Sequence, residues 1–248
     1  KDKEGKECRE EISADGIRSI VLSPHGSVSI GAIELANEHY IDMVVIGKRQ
    51  KPIARIYPCS LSGAHLVRRR QMEAYLDGRG LKISTLLEAM KLRSQMNLLK
   101  SLQKSRGIKE FEPAILEIEK FIIELESKKK FTCDEVMGRE GRAAALYFSC
   151  LGRIMPLERR DPDLHNKANI LLNYGYAVLY HEVERACWLV GLDPYLGFLH
   201  ADRPGKPSLA LDLIEPFRAI VVDRAVVTLF AHRKLDDSDF EIAPDGAE

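Results

Sequence analysis

Apolar positions follow two regimes along the chain. Up to about residue 60 they come in short runs: IRSIVLS at 17–23, IDMVVI at 41–46 and the alternating PIARIY at 52–57. Runs of this length, rich in Ile and Val and bounded by turn residues such as Pro24-His25-Gly26, read as strands. Between the first two, residues 27–40 place Ile30, Ile33 and Leu35 at helix-like spacing. Residues 1–60 are therefore expected to form a β-rich module of three strands and one helix.

From about residue 62 the period lengthens to that of helices. Helices are predicted over 65–76, 84–102, 110–126, 132–155, 164–190 and 219–233, with a shorter one opened by Ser208. Leu92, Met96 and Leu99 recur at i, i+4, i+7, and Ile115, Ile118, Ile122 and Leu125 repeat the pattern; both stripes are read as core. Gly78 and Gly80 are expected to break the chain before the second helix. Thr132-Cys133-Asp134-Glu135 is a capping-box sequence. Lys128-Lys129-Lys130 is read as the last turn of the preceding helix, where cations suit the dipole. The run 164–190 is apolar on nearly every side, which predicts burial at the centre of a bundle, with Asp161-Pro162-Asp163 as its cap. Asn173 is expected to tie it to a neighbour, and Gly191 to end it. The fold class is α+β, mainly α: a β-rich module over 1–60 and an all-helical domain over 61–248.

Composition narrows the functions available. The 37 basic and 37 acidic residues cancel, which excludes a simple polycation but leaves room for a local basic face. Arg68-Arg69-Arg70 is read first as a solvated face. Five scattered cysteines, odd in number and without a C-x-x-C pair, argue against a disulfide framework and for a reducing cytoplasm. No apolar run reaches membrane-spanning length, no signal peptide opens the chain, and no G-x-x-x-x-G-K-[ST] loop is present. The chain begins with Lys, so the native N-terminus is expected further upstream. The acidic segment 236–248 is read as an irregular tail.

Chemistry concentrates in GLDPYLGFLHADRPGKPSLALDLIEPFR at 191–218. His200 lies on the loop; Asp212 and Glu215, three residues apart, share a helix face. A loop histidine facing two carboxylates is an oxygen-plus-imidazole metal site in outline. Glu140 has two readings: a carboxylate paired with Arg139 or Arg142, which is preferred from that segment alone, or one pointing into a cleft opened by Gly141, Ala143 and Ala144. His25 and His39 are given structural roles.

Three stretches, REGRAAALYF, DPDLHNKANILLNYGYAVLY and the 191–218 segment, together resemble the CRISPR adaptation integrase family, the universal CRISPR-associated endonuclease of spacer acquisition. The resemblance spans most of the chain and keeps the family's motif order. It implies a metal site of one glutamate in E-G-x-A-A, the histidine ending G-x-x-P-x-x-G-x-x-H, and an acid three residues after the Asp of S-L-x-x-D. These are Glu140, His200 and Glu215, with Asp212 as the neighbouring acid. Some members have aspartate at the third position, so Glu215 is a longer arm. The resemblance also implies that the opening strands and last helices of the family lie outside this sequence.

The activity implied is attack of a 3′-hydroxyl on a phosphodiester at the edge of a CRISPR repeat, or hydrolysis by water, with manganese or magnesium as Lewis acid. Arg139, Arg142, Arg203 and Lys206 are the candidate DNA contacts. Implied partners are double-stranded DNA, a second copy of the chain through the β-rich module, and a small ferredoxin-like CRISPR-associated protein. Two other readings compete: a catalytically silent nucleic-acid-binding assembly subunit of the same fold, and a helical enzyme acting on a small molecule.

Overall fold

The structure is a computed structural model that describes residues 10–48, 52–56, 64–127, 130–164, 166–200, 203–235 and 239–240. It divides into two compact units, Lys1–Ser62 and Gly63–Glu248. The protein is α+β and mainly α.

In the first unit, β1 (Ser19–Leu22) leads through α1 (Ile30–Glu38) to β2 (Asp42–Ile46) and then β3 (Pro52–Ile56). A parallel pair needs a crossover, and α1 supplies it: β1 runs parallel to β2, while β3 pairs antiparallel on its other side. The central position of β2 explains its continuous apolar run. Ser29 caps α1 by accepting the Ala32 N–H, and Ile41 and Met43 close a small core with Ala36. His39 sits 3.2 Å from Asp15, in keeping with a structural role.

The second unit is helical: α2 (Ala64–Leu76), α3 (Arg79–Arg106), α4 (Glu112–Glu126), α5 (Cys133–Leu151), α6 (Lys167–Leu189), α7 (Ser208–Phe217) and α8 (Arg224–Ala231), with a π-helical stretch, Arg218–Asp223, joining the last two. Thr132 forms the expected capping box with Glu135. The 28-residue α3 is the hub; α2, α4, α5, α7 and the π-helical stretch all pack on it. None of the described helices is long and apolar enough to cross a membrane.

Several expectations need correction. The central helix is α3, not the run at 164–190. That run forms α6, capped by Asn166 rather than by the Asp161 turn, and it exposes Ile170, Tyr174 and Val178. Apolar content all round the helix did not mean burial all round. α4 ends at Glu126 with Ser127 extended, so the lysines are not in its last turn; Lys130 follows in exposed coil, and Lys128 and Lys129 lie outside the described residues. Nearly all of the acidic tail lies outside them too. Asn173 ties α6 to the preceding loop rather than to a helix, accepting from Arg160 and donating to the Pro162 carbonyl.

Gly78, with φ +79°, precedes α3 as expected of a breaker, but Gly80 lies buried inside the helix. A Cβ there would stand 2.2 Å from Phe198 Cδ1, so the missing side chain lets the loop carrying His200 settle on α3. Gly80→Ala should therefore lose about 1–3 kcal/mol in urea unfolding, as overpacked cores do. Gly138→Ala, inside α5 with nothing within 4 Å of the new methyl, should gain up to about 1 kcal/mol.

Candidate active site

Four elements that are remote in sequence converge within the helical unit. α3 contributes Glu88 and Lys91, α5 contributes Glu140, α7 contributes Asp212 and Glu215, and the loop before α7 contributes His200. The convergence follows from the packing of α5 and α7 against α3.

Lys91 is the centre. Its Nζ lies 2.6 Å from Glu140 Oε1, to which it donates a hydrogen bond, and 2.6 Å from Glu215 Oε2, an ion pair outside hydrogen-bonding geometry. Glu88 Oε2, one turn back on α3, is 3.5 Å away and has no hydrogen-bond partner. Arg218 approaches the other oxygen of Glu215 at 3.3 Å. Lys91, Glu88 and Glu215 are all buried, while Glu140 is partly open.

The electrostatics follow from this crowding. Burial opposes the Lys91 charge, yet Glu215, Glu88 and Glu140 together hold its pKa above the ordinary value. Burial also raises Glu215, but the Lys91 and Arg218 charges overcome it and bring that carboxyl below its usual range. Glu88 has the opposite outcome: burial, with Glu215 and Glu140 nearby, pushes it up to about 7 against the pull of Lys91.

His200 is held by Asp212. The backbone N–H groups of Phe198, Leu199 and His200 all donate to the Asp212 carboxylate, at 2.6, 3.1 and 3.1 Å. His200 Nδ1 lies 2.6 Å from Asp212 Oδ1, which raises the imidazole pKa. With Nδ1 protonated against the carboxylate, the neutral ring keeps its lone pair on Nε2. Ser208 opens α7 but does not cap it; its hydroxyl accepts the Gly197 N–H and donates to the Tyr195 carbonyl, fastening the same loop.

Beside Glu140 is a cleft of about 870 Å³, lined also by Arg159, Arg160, Arg218, Asn173 and Tyr176. The Arg218 guanidinium sits 4.8 Å from the Tyr176 ring centroid, and Arg160 sits 5.3 Å from it. Tyr176 and Tyr147 both donate to buried Asp223, at 2.5 and 2.7 Å, locking the π-helical stretch that begins with Arg218.

The structure thus brings Glu140 and Glu215 together and places His200 on Asp212 close by. It does not complete the expected metal trio: among the described residues, no three of the His, Cys, Asp and Glu side chains stand close enough to hold a metal ion. Both carboxylates instead close on Lys91. The preferred reading of Glu140, a pair with Arg139 or Arg142, is also corrected. Arg139 pairs with Glu124 at 2.7 Å, and Arg142 stacks over Phe121, so both face α4. Arg203 and Lys206 sit exposed on a turn after the His200 loop, joined by a β-bridge.

Lys91, Glu88 and Arg218 were not singled out from sequence. A signal existed: Ser84, Glu88, Lys91 and Gln95 repeat at steps of four, three and four, a polar stripe running beside the apolar one.

Chemically, the donor set suits a hard divalent cation. Two carboxylates already gather around one positive charge, two of their neighbourhood's buried oxygens lack hydrogen bonds, and an imidazole fixed through Nδ1 is at hand. Fold and site together define a mainly helical protein with a small α/β unit, built around a buried acidic cluster that opens on an arginine-lined cleft. The chain belongs to the family described as CRISPR associated protein Cas1, whose model matches residues 2–248.

A relative from Pyrobaculum aerophilum, named a CRISPR-associated endonuclease Cas1, is 37% identical over 84% of this chain and 69% of its own length. A Cas1 protein from Thermotoga maritima has the same fold, with a TM-score of 0.73 at 22% identity over 95% of this chain and 74% of that one. A casposase bound to its integration product is 27% identical, with a TM-score of 0.62, over 98% of this chain and 73% of that one.

Glu88 supplies a pH test. It keeps its proton in the folded state to about pH 7, against 4.5 for the unperturbed group. The stability it contributes is present at low pH and is lost as pH rises through that window, by at most roughly 3 kcal/mol. Glu88→Gln should remove this slope, so its advantage over the parent in chelator-treated protein should grow from pH 5 to pH 8. Chemical denaturation at both pH values measures it.

Proposed function

We propose that this chain is a divalent-metal-dependent DNA endonuclease and integrase that inserts spacers into a CRISPR array. The observation that carries the reading is the convergence of Glu140 and Glu215 on a single cation position beside an arginine-lined cleft. Family membership and a casposase relative bound to an integration product support it.

Glu140, Glu215 and the Nε2 of His200 are the groups that would hold manganese or magnesium. When bound, the ion supplies Lewis-acid compensation for charge growing on the phosphoryl oxygens. Asp212 fixes the imidazole through Nδ1 and keeps the loop in place through three N–H groups. Arg159, Arg160 and Arg218 give the cleft a positive lining suited to phosphodiester oxygens, with Arg203 and Lys206 on the adjoining turn. The reaction exchanges one ester for another when a DNA 3′-hydroxyl attacks, and becomes hydrolysis when water attacks; neither needs a nucleotide triphosphate. In this reading the protein works in the cytoplasm as a homodimer formed through the α/β unit, on double-stranded DNA, with a small ferredoxin-like adaptation partner.

A second reading, a catalytically silent DNA-binding assembly subunit, draws on Lys91, whose ammonium already fills the position between the carboxylates.

Glu140→Gln and Glu215→Ala should each lower manganese-dependent cleavage and strand transfer by on the order of 10²–10³-fold, as losing one charge-stabilising group does. Filter binding to duplex DNA should change little. Activity retained in Glu215→Ala would overturn its assignment as a metal-holding residue, whereas a parent protein that binds duplex but never cuts it with manganese would favour the silent subunit. Sedimentation of the chain should show a dimer; a monomer at micromolar concentration contradicts the assembly.

A further inference from the structure

The cluster around Lys91 holds more than a stability contact. A buried ammonium touches both carboxylates assigned to a metal, and a third carboxylate waits one helical turn away. Glu88 Oε2 is buried, lacks a hydrogen-bond partner and stands 3.5 Å from Nζ, while Glu140 and Glu215 each hold the ammonium at 2.6 Å. Lys91 and Glu88 occupy i+3 and i on α3, the spacing at which a lysine can reach an acid on its own helix face. A lysine stem has four rotatable bonds, so the shift from one set of oxygens to the other needs no backbone motion.

We propose that Lys91 is a placeholder cation that a divalent metal displaces, and that Glu88 is the acceptor that receives it. This rests on the metal reading above and deepens it by naming two positioning residues outside the ligand set. Without metal, the ammonium holds Glu140 and Glu215 together; two carboxylates drawn into a buried site with no cation would repel each other. With metal, the same ammonium would repel the incoming charge, so it moves to Glu88. The pair Glu88–Lys91 thereby sets how tightly the ion is held without touching it. The observation that singles out Glu88 is a buried oxygen that lacks a hydrogen bond and stands within ion-pair reach of the ammonium, yet farther from it than the Glu140 and Glu215 oxygens.

The test uses direct manganese binding, read by the loss of the free-ion electron paramagnetic signal and by calorimetry, so it does not depend on activity. Lys91→Met keeps the stem and removes the charge; it should tighten manganese by at least about tenfold, since the repulsion between two near charges in a partly buried site exceeds the energy of one decade. Glu88→Gln weakens the acceptor available to the ammonium and should weaken manganese by a similar factor. Lys91→Arg keeps the charge and should give no gain.

In the parent protein labelled with ¹⁵N-lysine, the ammonium resonance lost in Lys91→Arg should move on magnesium saturation. This last measurement decides the matter if Lys91→Met fails to fold. Unchanged or weaker binding in Lys91→Met, tighter binding in Lys91→Arg, or a Lys91 resonance that stays fixed as magnesium saturates, overturns the proposal. If the parent binds manganese and only these outcomes fail, the metal reading stands without the placeholder. If the parent does not bind manganese but Lys91→Met does, the placeholder stands in its strongest form. If neither binds, both readings fall.

Discussion

The helical unit is arranged around one buried positive charge. An ammonium with a largely buried side chain is tolerable only if its partners come to it, and here they come from helices separated by 49 residues in one case and by more than twice that in the other. Removing one partner of such a set leaves an uncompensated charge, at a cost of about 3–5 kcal/mol, so α5 and α7 are pinned to α3 at this point more strictly than apolar contacts alone would pin them. The surrounding core of Leu92, Met96, Ile118, Tyr147 and Leu172 supplies the bulk of the burial. The ion cluster supplies the register.

A second polar node does for the loop what Lys91 does for the helices. Asp212 gathers three consecutive backbone N–H groups and the His200 ring, and Ser208 closes the loop from the other end. A Gly- and Pro-rich stretch with little secondary structure is thus held by side chains of the helix that follows it. Gly80 and Gly197 permit the close approach: a Cβ at either would collide with Phe198 or Ser208. The two nodes are linked through α7, which carries Asp212 on one and Glu215 on the other. A displacement of α7 would disturb both at once, and this is why Pro216 and the π-helical stretch after it, locked by Tyr147, Tyr176 and Asp223, belong to the site as much as to the fold.

Much of this was legible in the sequence, and the failures have physical causes. Strand and helix order followed from periodicity, and the capping box marked the start of α5. The resemblance picked out Glu140, His200 and Glu215, two of which the structure joins through a common partner. The apolar pattern overstates the burial of α6 because composition around a helix does not say which neighbours exist to cover it. Gly80 looks like a breaker in the sequence because its reason, the ring of Phe198, lies 118 positions away. Lys91 escaped notice for a similar cause. A lysine inside a helical run reads as surface unless its partners are known, and its partners belong to α5 and α7. The polar stripe of Ser84, Glu88, Lys91 and Gln95 could have flagged it, since charge at core spacing needs compensation.

What ties fold to function in this account is a single position in space, where two acids from distant helices meet one cation. Anomalous scattering from crystals grown with manganese locates that position directly. The account predicts a manganese peak between the Glu140 and Glu215 carboxylates, with the Lys91 ammonium drawn away from them onto Glu88. A peak elsewhere in the helical unit, or an ammonium still seated between the two carboxylates at full manganese occupancy, would contradict it.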